Sequence, residues 1–276
     1  MSNLIQRSVF GALYVAVVLA SLWVYPSMPF FPILAALVGM LAVREFHVLL
    51  GDSRWLRYGG MAASVVLSYA FYAGVTEMSM AVYGLVVLVL LVSELFLQAE
   101  DPIRNWGRLL TGQVMVALPF AMMQDLTAGN KWLMMAISLI MWANDTGAYC
   151  VGCLTAQLPK GNHKMFVRVS PKKSWEGLFG GFVFAGLAGW LLSIWLPREA
   201  TLIGGDYVGL AWVCFALVIA VAGTLGDLVE SLFKRTIGVK DSGKFLPGHG
   251  GVLDRFDSIL LATAMVWLLL MILSML

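Results

Sequence analysis

The chain alternates long apolar runs with short polar breaks. Nine runs, near residues 8–25, 29–50, 58–75, 79–97, 109–127, 131–152, 175–196, 207–230 and 256–276, carry almost no charge. Each approaches the ~20 residues with which an α-helix crosses the hydrocarbon core of a bilayer. The breaks hold residues that end helices, among them Pro26, Pro29, Gly51, Gly74, Pro102, Gly129, Pro159, Pro171, Pro197 and Gly204. The pattern predicts an all-α polytopic membrane protein with about nine transmembrane helices. No interval between runs would hold a soluble domain. Residues 1–276 are therefore read as a single integral membrane domain, with spans one to five in 1–130 and the catalytic helices and loops in 131–276. No small-residue cleavage site follows the first run, so it is expected to be a retained span and not a signal peptide.

Composition agrees. Of 276 residues, 60% are hydrophobic and 12% charged, against about 25% charged in soluble domains. The three cysteines, Cys150, Cys153 and Cys214, give no disulfide framework. No nucleic-acid partner is expected. The net charge of +2 says less than where the charges fall. In a nine-span topology, sixteen of the eighteen basic residues lie on one side, and only Lys131 and Arg198 lie on the other. The positive-inside rule then places the N-terminus and the basic loops in the cytoplasm and the C-terminus at the far face.

The densest polar stretch is 231–257, SLFKRTIGVKDSGKFLPGHGGVLDRFD, between the last two runs. Such an island beside membrane-length helices is costly unless it serves chemistry. Its make-up suits a phosphate-rich ligand: cations for charge, glycines for close approach of backbone N–H groups, carboxylates for a hard metal. On a continuing helix Asp227, Glu230, Ser231 and Lys234 share a face. Asp254 and Asp257 open the next helix. A glycine-rich turn between these helices can bring Asp227 and Asp254 together, and two or three carboxylates at one point bind Mg²⁺. The segment 248–251, which includes His249, Gly250 and Gly251, meets a helix N-terminus, a natural seat for phosphate. His249 is read as a donor to phosphate or a fixer of the loop. Asp145, in WANDTGAY, is either a further metal contact or the partner of a loop lysine. Glu45, beside Arg44, is read as half of an interfacial ion pair.

The run S-x-F-K-R-x4-K-D-x-G-x2-L-P-x-H-G-G-V-x-D-R-F-D at 231–257 resembles the signature of phosphatidate cytidylyltransferases (CDP-diacylglycerol synthases), with every fixed position filled. NDTGAY at 144–149, SPKKSWEG at 170–177 and the Gly226-Asp227, Glu230-Ser231 pairs resemble further segments of that family. Between the first two the pattern departs: the family's Gly-Arg and Gly-Lys-His-Lys runs are replaced by CVGCLTAQLPKGNHKM. The N-terminal half matches only as apolar spans, with Arg44-Glu45-Phe46 a weak further likeness.

The resemblance implies cytidylyl transfer from CTP to phosphatidate, giving CDP-diacylglycerol and pyrophosphate, at the cytoplasmic face of a bacterial inner membrane. It implies Mg²⁺, with a monovalent cation and a homodimer left open. Metal binding is assigned to Asp227 and Asp254, with Asp145 as a further contact. Lys240 joins the two aspartates as a catalytic residue. Lys172, Lys173, Lys234, Arg235, His249, Gly250, Gly251 and Arg255 are expected to hold CTP, the lipid phosphate or membrane lipid. Two other readings stay open: nucleotidyl transfer to a different lipid phosphate, and an ion-coupled transporter, since intramembrane acids also mark ion pathways.

Overall fold

A computed structural model describes residues 3–97, 100–159, 161–197, 207–243 and 250–275. All nine apolar runs are helical. They form α1 (Asn3–Val24), α2 (Phe30–Leu49), α3 (Arg54–Tyr72), α4 (Glu77–Leu97), α5 (Pro102–Gly112) with α6 (Leu118–Gly129), α7 (Lys131–Ala156), α8 (Trp175–Trp195), α9 (Val208–Thr236) and α10 (Leu253–Leu273). Among the described residues six helices are long and apolar enough to cross a membrane: α2, α4, the α5–α6 rod, α8, α9 and α10. These six mark an integral membrane protein, beside the nine crossings expected from the apolar runs. Helix α3 opens on Arg54 and Arg57, and α7 carries Asn144, Asp145 and Thr146, which lower their apolarity. The described apolar part of α1 is the shorter Gly11–Val24.

Two further features were not expected. A π-helical turn, Gln113–Ala117, joins α5 to α6. Pro119 follows it and has no N–H to give, so the regular ladder is interrupted there and the extra residue is absorbed. Strands β1 (Lys164–Phe166) and β2 (Ser170–Ser174) pair antiparallel, a small exception to an otherwise helical chain.

The chain divides into two compact units. The first comprises Met1–Lys131 with Asp241–Phe256, the second Trp132–Lys240 with Asp257–Leu276. In the first, α2 and α3 pack on each other and on α6. Gly39 allows the close approach of α2 to α6, where a Cβ would lie 2.9 Å from Phe120 Cβ. One end of this unit is fixed by Asp52. Its carboxylate receives His47 Nδ1 at 2.7 Å and Arg108 at 2.6 Å, with the His47 and Asp52 side chains fully buried.

In the second unit α8 is the central partner. Its small residues Gly177, Gly181, Ala185 and Gly189 recur every fourth position, a stripe that lets membrane helices approach closely. Cβ atoms at Gly177 and Gly181 would meet Ala148 and Asn144 of α7, and one at Gly189 would lie 2.6 Å from the Trp212 carbonyl of α9. Gly226 does the same for α9 and α10, with the Asp257 carbonyl 2.6 Å from its would-be Cβ.

Candidate active site

Within the second unit, three helices and a strand bring acids and amines together. Lys173, on β2, reaches Asp227 of α9, Nζ to Oδ2 at 2.6 Å. Ser231, one turn on, donates to the other Asp227 oxygen at 3.2 Å. Lys234 pairs with Glu230 at 2.5 Å, and both side chains are nearly buried. Asp145 of α7 lies within electrostatic reach of Asp227 and Lys173, and Asp257 of α10 within reach of Asp227, Glu230 and Lys234. Four carboxyl groups thus face two ammonium groups. Such an excess of acid near a bilayer is met by protonation or by a further cation.

The helical spacing explains half of this cluster: Asp227, Glu230, Ser231 and Lys234 fall on one face of α9, as expected. Tertiary packing supplies the rest. Lys173 is delivered by β2, which runs directly into α8, where Ser174 caps the helix by accepting the Gly177 N–H at 3.2 Å. Glu176, in the first turn of α8, takes the His163 N–H at 3.0 Å and meets its Nδ1 at 2.6 Å, which fixes the approach to the hairpin.

Other cations expected at the site are exposed. Lys172 lies on β2, Lys240 beyond the end of α9, and Arg255 in the first turn of α10. Arg235 donates to the Val169 carbonyl at 3.4 Å and ties the hairpin turn to the end of α9. Lys234 differs from them: it is buried against Glu230. His249 lies outside the described residues.

In the first unit the signature forms a tight turn into α10. Asp254 Oδ2 accepts the N–H groups of Ser242 and Gly251, both at 2.8 Å. The second bond reaches back three residues, as in a capping box. Gly250 has φ +81°, and a Cβ there would also crowd the Asp254 carboxylate. Glycine at this position is therefore a backbone requirement.

Glu45 is the residue whose partners sequence reasoning misassigned. It is buried on α2 while Arg44 is exposed. Adjacent helix residues do not face one another, so the expected ion pair does not form. The Glu45 carboxylate instead receives the Ser242 hydroxyl and the Val252 N–H, the latter at 2.7 Å. The one hint in the sequence was an acid inside an apolar run.

Among the described residues, no three His, Cys, Asp or Glu side chains converge as a ready-made metal site. The donor chemistry still fits Mg²⁺, which commonly takes one or two carboxylates and completes its shell with substrate phosphates and water. In the second unit Asp227 and Asp145 offer such oxygens.

Comparison with known proteins places these features. The cytidylyltransferase family model matches residues 5–273. A phosphatidate cytidylyltransferase of Staphylococcus epidermidis is 42% identical over 144 residues, 51% of this chain and 50% of that protein. Those of Staphylococcus aureus and Staphylococcus saprophyticus are 42% and 40% identical over 134 residues, 48% of this chain and 46% of each. The chain thus spans about half the length of the curated relatives it matches.

Proposed function

We propose, given that this chain belongs to the cytidylyltransferase family, that it transfers the cytidylyl group of CTP to phosphatidate. A phosphate oxygen of the lipid attacks the α-phosphorus of CTP. One P–O bond forms as the bond to the β,γ-pyrophosphate breaks, and CDP-diacylglycerol and pyrophosphate result. The nucleophile is already an anion, so no general base is required. The barrier arises largely from bringing two anions together, and positioning with charge neutralisation lowers it.

The observation that carries this reading is the cluster of Asp145, Lys173, Asp227, Glu230, Lys234 and Asp257. In it Lys173 holds Asp227 in place, and the surplus of carboxyl groups favours a cation. Asp227 and Asp145 would hold Mg²⁺, with Asp254 as a further carboxylate to test. The metal, when bound, supplies charge neutralisation at the reacting phosphates. Exposed Lys172, Lys240, Arg235 and Arg255 hold substrate phosphates. Gly250 and Gly251, whose turn is held by Asp254 and Glu45, let a phosphate approach the start of α10 closely. The basic loops face the cytoplasm of a bacterial inner membrane, and the lipid enters from the bilayer.

The test is synthesis by purified protein in detergent, with labelled CTP and a panel of lipid phosphates. CDP-diacylglycerol and pyrophosphate are expected in equal amounts from phosphatidate. Liponucleotide from an isoprenoid phosphate but not from phosphatidate would replace the substrate. No liponucleotide from any member of the panel would sink the enzymatic reading.

A further inference from the structure

We infer that Glu45, on the second helix, is a positioning residue that sets the geometry of the signature turn without touching substrate. The inference rests on the cytidylyl-transfer reading for its kinetic consequence, but its structural part stands alone. Glu45 sits four positions before Leu49, the end of α2, and is 9% exposed. A carboxylate buried at such a place is costly unless its lone pairs are filled. Among the described residues no cation pairs with it. Its lone pairs are filled by neutral donors from a segment about two hundred residues away in sequence: the Ser242 hydroxyl, and the Val252 N–H at 2.7 Å, a separation of 207 residues.

These two donors stand on either side of residues 244–249. Ser242 precedes them and Val252 follows, so a single carboxylate ties both flanks together. The flanks also touch directly, since a Cβ on Gly243 would lie 3.3 Å from Gly251 Cα and 3.1 Å from the Glu45 carboxylate. A Cβ on Gly251 would collide with Glu45 Oε1 and Ser242 Oγ. The glycines at 243 and 251 are therefore the space into which the carboxylate fits.

The connection then continues to Asp254. Ser242 takes the Asp254 N–H on its hydroxyl oxygen at 3.3 Å, and its own N–H donates to Asp254 Oδ2 at 2.8 Å. Glu45 thus fixes Ser242, and Ser242 fixes Asp254 and the first turn of α10. Shifts of about 1 Å in groups that orient reactants can cost ~10²-fold in rate. A carboxylate that holds the turn from behind acts through that term.

The experiment compares Glu45→Gln, Glu45→Ala and Ser242→Ala with wild type by amide hydrogen exchange of peptides covering 241–254, and by kcat and KM for CTP. Glu45→Gln keeps an acceptor for Val252 and a donor for Ser242. It is expected to retain most protection and to lose roughly tenfold or less in kcat. Glu45→Ala removes both contacts. Its 241–254 amides are expected to exchange at least tenfold faster, and kcat to fall ~10²-fold with a smaller change in KM. Exchange and kcat in Glu45→Ala equal to wild type would overturn the inference. So would a loss confined to the yield of folded protein at unchanged kcat. If Glu45→Ala does not fold, the exchange and kcat of Ser242→Ala decide the case in the same way. If wild type makes no liponucleotide, the reading of function has failed, and exchange alone then judges whether Glu45 holds the turn.

Discussion

At the scale of single residues, the candidate site rests on carboxyl groups that must stay satisfied, and in the proposed reaction they would face anionic substrates. Asp227 illustrates this: Lys173 lies 2.6 Å from one oxygen and Ser231 3.2 Å from the other. Asn at this position keeps the size and one acceptor but drops the charge. Asp227→Asn is expected to lower liponucleotide synthesis by ~10²-fold or more, the scale of losing one group that stabilises charge in the transition state. Chromatography in detergent should show an unchanged fold. Near wild-type rates at low Mg²⁺ in a well-folded variant would remove Asp227 from the metal role. The signature region was legible because its charges and glycines are dense between two apolar runs. Glu45 was not, because its partners lie about two hundred positions away and its sequence neighbour Arg44 offered a simpler pairing. Lys234 was expected to hold a substrate phosphate. Only packing shows that its ammonium is turned to Glu230.

At the scale of elements, glycines set the distances between helices. Gly181 is buried where α8 crosses α7, and a Cβ there would lie 2.6 Å from Asn144 Oδ1 and 3.0 Å from the Asn144 carbonyl. The carbonyl is backbone and cannot swing aside. Gly181→Val is therefore expected to separate the two helices at a cost of about 1–3 kcal/mol, the usual range for overpacking. Thermal unfolding in detergent should show a fall of several degrees, and activity should drop because α7 carries Asp145. An unchanged unfolding temperature would mean that the two helices are less closely packed than described. All nine apolar runs were legible as helical, since apolar length is a strong signal. The hairpin was not: Ser170–Ser174 is polar, short and without the alternation that marks a strand. The π-helical turn was equally hidden, because its cause, Pro119, reads in sequence only as an irregularity within a long apolar run.

At the scale of the whole molecule, helices that cross a membrane and helices that merely lie in the bundle must be told apart. Six of the described helices are long and apolar enough to cross, whereas the sixteen-to-two division of basic residues requires nine crossings. The two readings differ over α1, α3 and α7. Fusing a reporter to the C-terminus discriminates them. With nine crossings and a cytoplasmic N-terminus, a periplasm-active reporter is expected to give signal and a cytoplasm-active one none. The reverse result means an even number of crossings, with one or all three of these helices not crossing.

The tie between α2 and the signature turn also has a consequence in time. Ribosomes add about 5–20 residues per second, so the 207 residues between Glu45 and Val252 separate their synthesis by roughly 10–40 s at that pace. Throughout this interval α2 holds an acid whose eventual donors do not yet exist. An unfinished chain therefore carries a chemical mark of its incompleteness inside the bilayer, and closing the last loop erases it. Chains cut before residue 241 lack both donors and keep the mark.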